Sequence, residues 1–195
     1  MRAVLAGLCL AAAFVLGVAN AAQPPRVEVR TNMGAFVIEL YPDYAPQTVA
    51  NFLAYVNEGF YDNTLFHRLV RNFLLQGGAY SRDMTPKRAT HPPVRNEGNH
   101  RISNERYTVA MARDADADSA TSQFFVNLAD NYTLDFEAPT PTGWGYCVFG
   151  RVTQGREAID AMAAVEIMTG GDFIGDTPMK EIVLQTARVL PPADN

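Results

Sequence analysis

Phe66-His67-Arg68-Leu69-Val70-Arg71-Asn72-Phe73-Leu74-Leu75-Gln76-Gly77-Gly78 is the stretch whose reading decides the fold. Two short runs within and beside it, Leu65 to Val70 and Phe73 to Gln76, are rich in strand formers. Successive side chains of a strand point to opposite faces. That alternation lets Arg68, Leu74 and Gln76 share one face. A cation, an apolar group and an amide on one face are an unusual mixture for a strand pair.

On the N-terminal side, Val27, Val29 and Thr31 alternate with Glu28 and Arg30. Asn32-Met33-Gly34 reads as a turn, and Ala35 to Leu40 returns as a second strand, giving a hairpin. Tyr41-Pro42-Asp43 breaks it. Pro46 then opens a helix, where its missing N–H costs nothing. Val49, Phe52, Leu53 and Val56 form one apolar face, and Gly59 ends the helix. Further strand-like runs are Thr108 to Ala112, Gln123 to Leu128, Tyr146 to Val152 and Ile182 to Leu190. Glu157 to Val165 is a weaker helix with Ile159, Met162 and Ala163 on its apolar face. Long polar connections run from Ser81 to Arg106 and from Asp130 to Gly145. Many short strands, two helices and large loops predict a mainly β fold: a barrel with helices covering its ends.

The length of 195 residues suits one domain. With 48% apolar and 19% charged residues, the chain is not disordered. A net charge of −5 and the lack of a Lys/Arg run argue against a nucleic-acid partner. Arg2 is the only charge before Arg26. Ala3 to Val18 is apolar or small, and Ala19-Asn20-Ala21 fits a cleavage site. Residues 1–21 therefore read as a secretory signal peptide, residues 22–195 as the exported domain, and the periplasm as its location. The alternative is a retained N-terminal anchor. Cleavage removes Cys9 and leaves Cys147 alone, so no internal disulfide forms. Cys147 lies in the apolar run Tyr146 to Phe149 and reads as a buried small hydrophobe.

Two more segments complete the pattern. Met111-Ala112-Arg113 is followed by Ser119-Ala120-Thr121-Ser122-Gln123-Phe124-Phe125-Val126-Asn127, and Gly145-Tyr146-Cys147-Val148-Phe149-Gly150 comes later. Together with the opening stretch, in this order, they resemble the cyclophilin family of peptidyl-prolyl cis-trans isomerases. The likeness runs from about Val27 to Leu190 and leans to the bacterial members. It implies a closed eight-stranded antiparallel β-barrel capped by two α-helices. It also implies a groove on the barrel's outer surface that takes an X-Pro peptide.

The chemistry of such a site suits these residues. Rotation about a peptide bond costs ~18–20 kcal/mol. X-Pro bonds interconvert only in tens to hundreds of seconds. Catalysis must favour the twisted amide over both planar forms. In the twisted amide the proline nitrogen regains its lone pair, so a fixed donor aimed at it binds the transition state better. Arg68, always charged and rigidly forked, is the catalytic candidate. The resemblance gives Gln76 the task of hydrogen-bonding the substrate backbone and steadying Arg68. It assigns the proline pocket to Phe73, Leu74, Phe125 and Leu134. The backbone around Ala112 and Arg113 would dock the peptide, and Gln123 and Tyr146 complete the substrate-binding set. No bond is broken, so no nucleophile, metal or cofactor is required. The expected partner is a proline-containing, unfolded or extended polypeptide. The expected protein is a monomer with no stable membrane association once processed.

Several positions depart from the family pattern. Leu69 to Asn72 lacks the usual Pro and Gly, so this turn is expected to sit differently. Leu74 stands for a Met, a nearly volume-conserving change. Thr133 stands for a Trp and Tyr146 for a His, which implies weaker cyclosporin binding. Trp144 occupies a different position. The loop Asp135 to Thr142 aligns poorly with the family. His67 reads as structural. His91 and His100 lack ligand spacing, and Ser119 to Ser122 lacks a nucleophile context. Asn131-Tyr132-Thr133 is a formal glycosylation sequon, and Asp114, Asp116 and Asp118 read as a solvated turn rather than a calcium loop. The competing function is a proline-peptide-binding chaperone or adaptor with little turnover.

Overall fold

A computed structural model describes residues 23–168 and 177–192. The predicted signal peptide and Cys9 lie outside the described residues. In chain order the elements are β1 (Arg26–Thr31), β2 (Gly34–Leu40), α1 (Pro46–Asn57), β3 (Thr64–Val70) and β4 (Leu74–Ser81). They continue with β5 (Thr108–Met111), β6 (Phe124–Asn127), β7 (Val148–Gln154), α2 (Arg156–Ala163), β8 (Ile167–Met168), β9 (Thr177–Pro178) and β10 (Val183–Val189). Eight of the strands close a barrel in the order β1-β10-β3-β4-β6-β5-β7-β2, every pair antiparallel. Closure removes the exposed edges that a sheet of this size would otherwise carry. The short pair β8–β9 was not expected from the sequence; two residues per strand are too few to show a period.

The barrel interior follows from strand alternation. Val27 faces Ile38 and Val29 faces Phe36 across the β1–β2 register, and all four are buried. Both helices add their apolar faces to this interior. α1 supplies Val49, Phe52, Tyr55 and Val56, and α2 supplies Ile159 and Met162. Burying a side chain such as Phe52 contributes roughly 1.5–3 kcal/mol. Ala45, which precedes α1, makes no side-chain cap. The Glu97 carboxylate does so from a distant loop, accepting the N–H groups of Gln47 at 3.2 Å and Thr48 at 2.8 Å. A negative charge there offsets the positive end of the helix.

A second apolar cluster lies on the outside of the barrel. Leu74, Ala110, Phe125 and Val148 form it, with Phe73, Leu134 and Tyr146 packed against it. Strands β5 and β6 are consequently buried on both faces. Strict alternation cannot serve both clusters along β3. Phe66 and Leu69 both belong to the interior, with His67 and Arg68 between them. The ladder accommodates this with an irregularity. Phe66 pairs with Gly77 and Arg68 with Gln76, so two steps on β3 match one on β4. A bulge of this kind re-aims a side chain, and here it turns Arg68 to the outer face.

The turn after β3 is tight despite its missing Pro and Gly. The Phe73 N–H donates to Val70 O at 3.0 Å. Asn72 adopts a φ of 54°, a left-handed conformation that Asn tolerates better than most residues. Phe73 itself falls in the turn, one residue before the strand expected to start there.

Candidate active site

On the outer face, a depression of about 210 Å³ is lined by Arg68, Phe73, Leu74, Gln76, Ala112, Arg113, Phe125, Leu134 and Tyr146. The sequence nominated all nine. Gln123, the tenth, stands one step away. It lines an adjoining polar depression of about 100 Å³ with Asp114, Ser119 and Thr121, and the two hollows share Gln76, Ala112 and Arg113. Two larger depressions lie elsewhere. One is lined by Arg71, Arg106 and Asp160, and Asp160 already pairs with Arg106 at 2.9 Å. The other is lined by Pro24, Pro25, Tyr41 and Tyr44. Neither sets a partnerless donor over an apolar floor.

The floor is built by strand register. Arg68 on β3 pairs with Gln76 on β4, which pairs with Phe125 on β6, which pairs with Ala110 on β5. The Arg68 Nη1 donates to Gln76 Oε1 at 3.1 Å. The Gln76 Nε2 donates to Gln123 Oε1 at 2.9 Å. This relay holds the guanidinium with amides and leaves its charge without a carboxylate neighbour: Arg68 is in none of the ion pairs among the described residues. The Arg68 Nε is buried and has no hydrogen-bond partner. A buried donor without a partner is rare and expensive.

The rim comes from loops. Phe125 meets Tyr146 edge-on at 5.6 Å between ring centroids. The Arg113 guanidinium lies over the Tyr146 ring at 4.8 Å and donates through Nε to Gly145 O at 2.8 Å. Leu134 ends the 3-10 turn Tyr132–Leu134. Trp144 packs on Phe136 at 5.3 Å and does not line the depression.

Among the described residues, no acid–base pair lines this groove. His67 is buried beside Tyr80, and burial lowers its pKa to about 4, so the imidazole is neutral near pH 7. His100 is also held below its ordinary value by burial. Its Nδ1 accepts the Ile102 N–H at 2.9 Å, which leaves Nε2–H to donate to Val148 O at 2.7 Å. Burial pushes the Cys147 thiol up to about 11, which makes it a poor nucleophile. Asn131 is buried and spends its amide on Phe73 O and Asn127 Oδ1, so the acceptor asparagine of the sequon is not presented to solvent. The Asp116 and Asp118 carboxylates accept backbone N–H groups, those of Asp118 and Asn96.

Sequence reasoning missed the buried amides beneath the rim: Asn104, Asn127 and Asn131. Asn127 inside an apolar strand was a usable signal. Asn104 lies in a polar loop and offered none.

Comparison with known proteins agrees with this architecture. Residues 26–189 match the family described as cyclophilin type peptidyl-prolyl cis-trans isomerase/CLD. The chain is 46% identical over 166 residues to the peptidyl-prolyl cis-trans isomerase cyp18 of Streptomyces antibioticus, covering 84% of this chain and 98% of that one. It is 42% identical over 163 residues to peptidyl-prolyl cis-trans isomerase B of Escherichia coli, with the same two coverages. A crystal structure of a Cryptosporidium parvum cyclophilin-type isomerase, determined in the presence of the dipeptide Ala-Pro, superposes with a TM-score of 0.72. It covers 86% of this chain and 99% of that one at 24% identity, a likeness of fold. A closed antiparallel barrel with a lateral groove thus meets an isomerase family. The chain belongs to the cyclophilin-type peptidyl-prolyl cis-trans isomerases. It is an enzyme of that class, catalysing rotation about X-Pro bonds.

Proposed function

We propose that the outer groove performs this isomerisation with Arg68 as its catalytic residue, on proline-containing extended chains of the cell envelope. The carrying observation is the Arg68 guanidinium, free of any carboxylate partner among the described residues, lining one depression with the apolar side chains of Phe73, Leu74, Phe125 and Leu134. Phe73, Leu74, Phe125 and Leu134 hold the proline ring, and Tyr146 closes the rim. The backbone at Ala112 and Arg113 docks the flanking chain. Rotation makes the proline nitrogen pyramidal and basic. The guanidinium then donates to a lone pair that neither planar isomer offers, so the twisted amide is favoured. Gln76 fixes the guanidinium's direction through Oε1, and Gln123 fixes Gln76. Donors held in place before the reaction cost no reorganisation during it.

The test is exchange of a short Ala-Pro peptide, read by NMR line broadening. Replacing Arg68 by Ala removes the donor and leaves the apolar pocket. The exchange rate at saturating peptide is expected to fall by about 10²–10³, the loss typical of one positioned donor, while the peptide still binds. An unchanged rate sinks the assignment. If the wild-type protein binds the peptide without accelerating it, the chaperone reading takes over.

The envelope location is supported by residues 1–21: one Arg, an apolar core and an A-x-A end. No helix among the described residues is long and apolar enough to cross a membrane. The exported form is proposed as a monomer. Fractionation of cells expressing the full chain should place a shortened product, beginning at Ala22, in the periplasm. A full-length product in the cytoplasm removes the location.

A further inference from the structure

The pocket walls Phe73, Leu134 and Tyr146 come from three different segments, and two of those are loops without strand partners. Buried carbonyls in irregular segments need donors. Two carboxamides supply them. The Asn104 Nδ2 approaches Leu134 O at 3.2 Å, Tyr146 O at 3.3 Å and Asp135 Oδ1 at 2.9 Å. The Asn131 Nδ2 donates to Phe73 O at 2.7 Å. A third amide connects them. Asn127 Nδ2 lies 3.1 Å from Asn104 Oδ1, and its Oδ1 accepts from Asn131 Nδ2 at 2.7 Å. The Asn131 N–H closes the ring on Asn104 O at 2.7 Å. Asn104 and Asn127 are fully buried and Asn131 is 6% exposed.

We propose that Asn104, Asn127 and Asn131 are positioning residues that set the spacing of the three pocket walls and thereby the affinity for the proline ring. None of them lines the groove. Other bonds on the same carbonyls do not replace them. Phe73 O also accepts Leu128 N–H, and Leu134 O accepts Tyr146 N–H, but these run between neighbouring backbones. Among the described residues, the amide ring alone spans all three walls. Arg68 and Gln76 stand outside it, fixed by the strand ladder. The network therefore acts on binding of both planar isomers and of the twisted amide alike. Loss of such uniform binding raises KM and spares kcat.

This inference rests on the pocket assignment made above, and the experiment separates the two. Wild-type protein, Asn104→Ala and Asn131→Ala are titrated with the Ala-Pro peptide. Amide shifts, dissociation constant, exchange rate at saturation and thermal midpoint are recorded. Each variant is expected to weaken binding about tenfold, the factor for a lost buried hydrogen bond of ordinary strength. The saturating rate of the folded protein should stay within about twofold of wild type. A merely structural role predicts the opposite: a lower midpoint with unchanged affinity of the folded fraction, which overturns the proposal. Asn131→Ala touches one wall and decides the matter if Asn104→Ala does not fold. Wild-type shifts away from Phe125 and Leu134 overturn the pocket assignment itself, and this inference with it.

Discussion

The floor and the rim of the groove are built by different forces. The floor residues Arg68, Gln76 and Phe125 sit opposite one another on β3, β4 and β6, so the backbone ladder spaces them. The rim residues Leu134, Tyr146 and Arg113 sit on loops held by side-chain bonds, such as Arg113 to Gly145 O. A ladder shares its cost with the whole barrel and is stiff. A loop is only as fixed as its few donors. The charged donor thus stands on the stiff part, where misplacement would be most expensive. The rim walls stand on loops, the part of a fold that varies most readily.

The strongest way to break this contrast is to disturb the floor. Gly78 on β4 has a φ of +86°, and a Cβ there would meet Ser122 O at 2.7 Å. Ser122 cannot retreat freely, because its carbonyl accepts Tyr61 Oη–H at 2.8 Å and its Oγ donates to Gly78 O at 2.9 Å. Gly78→Ala should cost about 3 kcal/mol of stability, through strain and the close approach together. Calorimetry should register this as a fall of roughly 6–12 °C in the midpoint. A midpoint within a degree of wild type would mean that the floor yields easily and the contrast is false.

The back of the floor is sensitive to acid. His67, beside Arg68 on β3, titrates at about 4 in the fold against 6.5 when free. Between those values the unfolded chain binds the proton and the folded chain does not. Stability is therefore fully present above pH 6.5 and declines as pH falls towards 4, by about 2–3 kcal/mol. Urea midpoints measured from pH 7 to pH 4 test this. His67→Phe should flatten the profile over that window. A wild-type profile equally steep after the substitution would place the titration elsewhere.

The smallest effect belongs to the turn where floor becomes rim. Asn72→Ala forces alanine to a φ of 54° and should cost about 1 kcal/mol. Asn72→Gly should be neutral or slightly stabilising. Equal stabilities for the two variants would show that the turn relaxes, and would assign it to the adaptable side.

The sequence by itself determined most of this. Period-2 alternation in β1, and the 3.6-residue period of Val49, Phe52 and Val56, are local signals, and they appear where they were read. Nine of the ten nominated site residues lie in three sequence motifs, and Leu134 came only from the family resemblance. The tertiary structure decided the rest. Asn72 takes the turn's left-handed φ of 54° without a glycine. Phe66 and Leu69 both face the interior, on either side of Arg68, because a bulge gives the ladder one extra residue, which no local pattern announces. Asn104 matters because the carbonyls of Leu134 and Tyr146, 30 and 42 residues away along the chain, are close in space. Periodicity encodes which way a residue faces its own segment. Hydrogen bonds between loops depend on where distant segments end up, and that is known only once the barrel has closed.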